Sequence, residues 1–281
     1  MKTDHRQQEE LVRDRFTRTA EVFGDFAVKE RVREAEQLAQ LTRASASDRA
    51  IDLACGPGTL ALRFARHVRW IAGVDFTPAI LSRAQALAEK DGIRNLAVVL
   101  GDAKQLPFAD ASIDIAVTSY SLHHILDPQR VIEQMARVLV PGGRAGVLDM
   151  IVPEDAAGAD LRNRIEVARD PSHARAMPVS ELVAMFGAAG LRVIASQENS
   201  KARSFDDWLR VAGWKRGDAA YEETRALLEK SMREGTDSGF YPQLLPPEAA
   251  SSAGSGDGRA DDQRSDIELG QTSVFVVGEK P

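Results

Sequence analysis

Cysteine is almost missing from this chain: Cys55 is the only one in 281 residues. A lone thiol excludes an intramolecular disulfide, a multi-thiolate metal site and redox chemistry on a cysteine pair. No apolar run approaches the ~18 residues that a membrane span requires. The opening stretch, MKTDHRQQEELVRDRF, is charged from the start and does not read as a leader. The expectation is a cytoplasmic protein with no membrane span. Positive charge is not in excess either. The 36 Lys and Arg against 42 Asp and Glu give a formal charge of −6, and the pI is near 5.5. That balance argues against a nucleic-acid partner and favours a small molecule. No internal repeat is detectable.

What is present is enough apolar residue, 43% of the chain, to bury one sizeable α/β core. Strand-like runs fall at 50–54, 70–75, 96–100, 113–119 and 144–150. Helix-like stretches lie between them at 60–67, 78–90 and 128–139. Such alternation implies βαβ units and a parallel sheet. Thr77 is placed to cap the second of these helices, with Pro78 in its first turn, and Pro141-Gly142-Gly143 stops the third.

Upstream, 28–41 has helix-spaced apolar positions at Val28, Val32, Ala35, Leu38 and Leu41. Downstream, 179–189 reads as a helix ended by Gly190, 191–195 as a sixth strand, and the run Val274 to Val277 as a seventh. No short crossover joins those last two strands, so antiparallel pairing around a long insertion is expected. The division anticipated is a helical cap over 1–45, a core over 46–200, a helical insertion over 201–245, a flexible Gly/Ser/Asp-rich loop over 246–266 and a final core strand over 267–281. Trp208 and Trp214 are expected in the insertion's core, and Met177 and Met185 in packing. Arg162, Arg164, Arg169, His173 and Arg175, interleaved with Asp160, Glu166 and Asp170, read as a solvated mixed-charge face.

Chemistry concentrates at the ends of the first four strands. In IDLACGPGTLA (51–61), Ala54, Gly56 and Gly58 form a turn from strand into helix where a ligand can approach the backbone. The GxGxxA spacing alone also fits a dinucleotide. Asp52, inside the strand, can anchor a cationic amino group directly or through water, which a pyrophosphate would not need. Asp75 can accept both hydroxyls of a ribose, and Phe76 can cover an adenine face. Asp102 in GDAKQLPF can accept the exocyclic amine of adenine while the Ala103 amide meets a ring nitrogen. This last element is not required by a dinucleotide. Ser119 offers a backbone contact at the fourth strand's end. Cys55 lies in the turn with no base beside it, so it reads as a small turn residue.

DLACGPG, GVDFT, GDAKQLPF, FADASIDIAVTSYSLHHILDP and LVPGGRAGVLDM resemble the successive motifs of class I S-adenosylmethionine (SAM)-dependent methyltransferases, closely over 51–150. Within that superfamily the chain looks most like the small-molecule branch that includes the ubiquinone and menaquinone methyltransferases. The resemblance implies a Rossmann-like seven-stranded sheet, order 3-2-1-4-5-7-6, with the last strand antiparallel, helices on both faces and a helical insertion before that strand. It implies SAM as cofactor, no metal, and methyl transfer to a phenol, quinone-like compound or natural-product metabolite by in-line displacement. A nicotinamide-dependent oxidoreductase and a non-catalytic SAM-binding protein are the alternatives.

A sulfonium methyl is already activated, so placement is the main requirement. His123 and His124, after the fourth strand, are the first candidates for a base, with packing as the competing role, and Tyr120 is a further candidate. Segments 16–26 and 151–178 are placed to close over the site. Arg169 and His173 are the candidate acceptor contacts, with ordinary surface charge as the alternative. The chain is expected as a monomer or homodimer.

Overall fold

The computed structural model describes residues 4–30, 32–245 and 267–281, with the side chains of 18–30 not included. The first half alternates as the apolar runs require: β1 (Arg49–Leu53), α3 (Thr59–Phe64), β2 (Trp70–Asp75), α4 (Pro78–Lys90), β3 (Leu96–Leu100), β4 (Ile113–Ser119), a 3-10 turn (Leu122–His124), α5 (Pro128–Val138) and β5 (Leu139–Met150). Two helices, α1 (His5–Glu30) and α2 (Val32–Leu41), precede it. After it come α6 (Ala156–Arg169), α7 (Val179–Ala188), β6 (Arg192–Ser204), α8 (Phe205–Val211), α9 (Ala219–Glu234), β7 (Gln243–Leu244) and β8 (Ile267–Glu279).

The strands form one sheet, β3-β2-β1-β4-β5-β8-β6, with β7 paired to β8. β1 to β5 are parallel, and β8 runs antiparallel to both β5 and β6. This is the expected order, β8 being the seventh strand of the sequence pattern. Central parallel strands are covered on both faces, which is why they are apolar at nearly every position. In β1, Ile51 and Leu53 belong to the core on the face that α5 and α7 cover, whereas Ala50 belongs to the core on the face of α2 and α3. A separate cluster joins α6, α8 and α9 through Ile165, Phe205, Trp208, Leu209, Tyr221 and Leu228. Trp208 is fully buried there.

Several expectations need correction. The upstream helix is two helices, and α1 starts far earlier than 28. Its apolar positions are sparse, so periodicity could not reveal it, and the Val28 side chain lies outside the described set. β6 runs to Ser204 rather than 195, because its polar second half, QENSKARS, pairs residue by residue with β8. Backbone pairing at a sheet edge needs no apolar alternation. The insertion therefore begins at α8. α6 occupies the first half of the 151–178 segment that the sequence places over the site and overlaps its mixed-charge run. Thr77 makes no side-chain cap to α4; instead its amide donates to Asp75 Oδ1 at 2.9 Å. The mixed-charge face is solvated only in part: Asp160, Arg164 and Arg175 are exposed, whereas Arg162, Glu166, Asp170 and His173 are buried. The 246–266 loop lies outside the described residues. Among those described, no helix is long and apolar enough to cross a membrane.

Gly73 of β2 lies over the turn that leaves β1. A Cβ there would sit 2.9 Å from Cys55 Sγ and 3.3 Å from Cys55 Cβ. Gly73→Ala should therefore lower unfolding free energy by about 1–3 kcal/mol through overpacking, measured by urea denaturation. An unchanged midpoint would contradict the close approach.

Candidate active site

The C-terminal ends of β1 to β4 open into a cavity of about 240 Å³. Ala54 and Gly56 line it, both at positive φ (51° and 54°), so the turn after β1 presents its backbone to the space. Asp75 and Phe76 line it from the end of β2, Asp102 and Ala103 from the end of β3, and Ser119 and Tyr120 from the end of β4. Two proposed contacts sit behind the wall. Gly58, at φ 80°, turns the chain into α3, and a Cβ there would meet Ala84 Cβ at 3.1 Å, so its smallness serves helix packing. Asp52 is buried beneath the turn: Oδ2 accepts the Ala61 amide at 3.1 Å, and Oδ1 is buried with no hydrogen-bond partner. Burial raises Asp52 well above the usual carboxylate range.

Asp75 reaches the cavity already braced by backbone. Oδ2 accepts the Gly56 amide at 3.0 Å and Oδ1 the Thr77 amide. Asp75 lines the cavity, where its carboxylate can also meet a ligand hydroxyl. Asp102 is half exposed, and its Oδ1 accepts the Lys104 amide at 2.8 Å. Burial, with Asp52 and Asp75 nearby, pushes the Cys55 thiol up, which disfavours a nucleophilic thiolate.

The remaining wall is α1. His5, Gln8, Glu9, Val12, Arg13 and Phe16 line the cavity, so the covering begins ahead of the expected 16–26, whose side chains from 18 on lie outside the described set. Its anchors are polar. Gln8 Nε2 donates to the carbonyls of His124 (3.1 Å) and Ser172 (2.7 Å), Arg15 pairs with Asp170 at 3.1 Å, and Glu9 pairs with Lys104 at 2.6 Å.

A second cavity, about 120 Å³, adjoins the first and shares Phe16, Tyr120 and His124 with it. His123 lines this second space. Its Nδ1 lies 2.6 Å from Asp149 Oδ1, and Asp149 also accepts the amides of Leu122 (2.8 Å) and Met150 (2.7 Å). Burial would raise Asp149, but the pairing with His123 and the amide hydrogen bonds outweigh it and hold the carboxyl below its usual range. The contact makes Nδ1 the donor and leaves Nε2, which has no hydrogen-bond partner among the described residues, as the acceptor. Asp149 had no distinguishing signal in the sequence beyond an acidic residue at the end of an apolar strand.

His124 is differently committed. Its Nδ1 lies 2.9 Å from the Ser172 carbonyl, an arrangement that makes the ring a donor to a turn. Tyr120 occupies the left-handed region at φ 50°, and its hydroxyl donates to Glu34 at 3.1 Å. Arg169 lines the second cavity. His173 is not brought to that lining; its Nε2 is 2.8 Å from Asn163 Oδ1, and the ring is buried.

Burial, reinforced by His123 alongside, pushes His124 down to about 4. Unfolded, the ring titrates near ~6.5, so as pH falls the unfolded chain takes up the proton first. Stability from the neutral ring is thus complete above about pH 6.5 and lost toward pH 4, roughly 3 kcal/mol in all. In urea titrations across this window, His124→Asn, which keeps a donor for Ser172, should show a shallower loss than the parent chain. Equal slopes would contradict the assignment.

Comparison with known proteins agrees with this architecture. A profile describing a methyltransferase domain matches residues 50–143. The uncharacterized methyltransferase YcgJ of Bacillus subtilis (strain 168) is 32% identical over 198 residues, covering 70% of this chain and 78% of that one. A demethylmenaquinone methyltransferase of Mycobacterium sp. (strain KMS) is 31% identical over 167 residues, 59% and 67% of the two chains. The crystal structure of the Bacillus YcgJ protein matches with a TM-score of 0.74 at 27% identity, covering 88% of this chain and 97% of that one. With the motifs of 51–150 set at the ends of β1 to β4 in this strand order, the chain belongs to the class I SAM-dependent methyltransferases.

Proposed function

We propose that this enzyme holds SAM in the larger cavity and methylates a hydroxyl of a small molecule held in the smaller one, with His123 as the proton acceptor. The observation that carries the reading is the shared wall: Phe16, Tyr120 and His124 line both cavities, so two ligands would meet beside His123. The chemical character of the larger cavity suits the donor. Asp75 and Asp102 offer acceptors for ribose hydroxyls and an adenine amine, Ala103 offers an amide, and Phe76 offers an aromatic face. The orphaned Asp52 Oδ1 suits an ammonium group reached through the Gly56 turn or a water.

SAM supplies an activated sulfonium methyl when bound. The chain's own work is placement and proton handling. Asp149 fixes the His123 tautomer, leaving Nε2 to take the acceptor's proton, and then stabilises the imidazolium. His124, held neutral, does not compete as a cation.

Asp75→Ala and Asp102→Ala should each weaken calorimetric SAM affinity about tenfold, ~1.4 kcal/mol. In an assay with methyl-labelled SAM and a mass-resolved screen of phenols, hydroxy acids and quinols, His123→Asn should lower kcat by roughly 10²-fold with SAM affinity unchanged. It should also abolish the acid limb of the pH–rate profile. Unaltered SAM affinity in both aspartate variants would remove the donor site, and an unaltered kcat in His123→Asn would remove the base.

A further inference from the structure

The smaller cavity is lined in part by Arg162 and Arg169 of α6, and that helix carries a charge imbalance. Glu166 is fully buried between two arginines, with Arg162 Nε at 3.3 Å from Oε1 and Arg169 Nε at 3.1 Å from Oε2. The arginine side chains are 1% and 12% exposed. One carboxylate thus faces two guanidinium groups. The other nearby carboxylate, Asp170, pairs with Arg15, accepts from Ser172 and also interacts with the Arg169 charge, so three arginines share two carboxylates. Glu34, on the same lining, accepts the Tyr120 hydroxyl.

Both guanidiniums are held in place by aromatic faces. Arg162 Cζ lies 3.4 Å from the Phe240 ring centroid and Arg169 Cζ 4.7 Å from that of Trp208. Arg162 Nη1 donates to the Gly239 carbonyl at 3.0 Å. Its Nη2, and both Nη groups of Arg169, make no hydrogen bond among the described residues, although both side chains line the cavity. Leaving charged donors unsatisfied in a largely buried setting is costly. Fixed guanidinium forks with open donors are suited to a planar or tetrahedral oxyanion.

We infer that the acceptor carries an oxyanion, a carboxylate or phosphate, which Arg162 and Arg169 bind at one end of the smaller cavity while its hydroxyl meets His123. The acceptor class is then a hydroxy acid or a hydroxylated phosphate ester. This rests on the proposed role of the smaller cavity as the acceptor site. Lys201 and Arg203 on β6 line the same space and give the surroundings the same sign.

The test uses the full chain saturated with S-adenosylhomocysteine, with benzoate, inorganic phosphate and neutral benzamide as probes in calorimetry. Benzoate, phosphate or both should bind, and Arg169→Gln should weaken that binding tenfold or more, with partial recovery in Arg169→Lys. Benzamide should bind the parent chain more weakly than the anions do. Response to benzoate alone assigns a carboxylate acceptor, and response to phosphate alone a phosphorylated one. The inference is overturned if neither anion binds up to about 20 mM, which would leave an affinity weaker than ~2.3 kcal/mol. It is equally overturned if benzamide matches benzoate, a comparison that needs no variant, or if Arg169→Gln binds the anions as the parent does. S-Adenosylhomocysteine affinity, read in the same titrations, should be unchanged by Arg169→Gln. Its absence in the parent chain would count against the donor site, whereas the anion arms decide the acceptor class by themselves.

Discussion

The strand order constrains everything else in this molecule. β1 lies between β2 and β4, so the chain winds outward in opposite directions from the β1/β4 junction, and the connections on either side diverge there. A crevice at the carboxyl ends of the strands is the geometric consequence. Ala54, Gly56, Asp75, Asp102 and Ser119 are far apart in sequence, yet each follows or ends one of four adjacent strands, and this alone gathers them around one cavity. The tight turn after β1 depends on the same packing, since Gly73 makes room for Cys55 beneath it.

Outside that junction, polar anchoring replaces apolar packing. α1 lines the larger cavity, and among its described side chains Gln8, Glu9 and Arg15 fasten it through hydrogen bonds and ion pairs. Gln8 bonds the carbonyls of His124 and Ser172, and Asp149 holds Leu122, His123 and Met150. The two sets of hydrogen bonds hold adjacent residues, His124 in the wall of the donor cavity and His123, the candidate base. The buried Arg162–Glu166–Arg169 cluster extends this polar interior toward α8 and Phe240, where a purely apolar core would be cheaper to desolvate.

Legibility in the sequence followed the kind of force involved. β2, β3, β4 and α4 have the bounds that the sequence pattern implies, because apolar runs and the Thr77-Pro78 boundary mark them directly. The polar half of β6 was hidden, since an edge strand can pair through its backbone with any side chains. α6 was hidden because its buried face is charged, and mixed charge in a sequence reads as surface. His123 was visible as a candidate, but its partner Asp149 was not: a carboxylate at the end of an apolar strand acquires meaning only when the following turn of another strand is placed beside it. Likewise, Arg169 was singled out from its charge, whereas its pairing with Arg162 through Glu166 and its seat on Trp208 required the fold.

The central claim, two adjoining cavities with the donor at the β1–β4 edge, is tested most directly by a crystal structure with S-adenosylhomocysteine. The account predicts the adenosine between Phe76 and Asp102, the ribose on Asp75, and the sulfur directed past Tyr120 toward the His123 cavity. Binding elsewhere, or a sulfur directed away from His123, would contradict it.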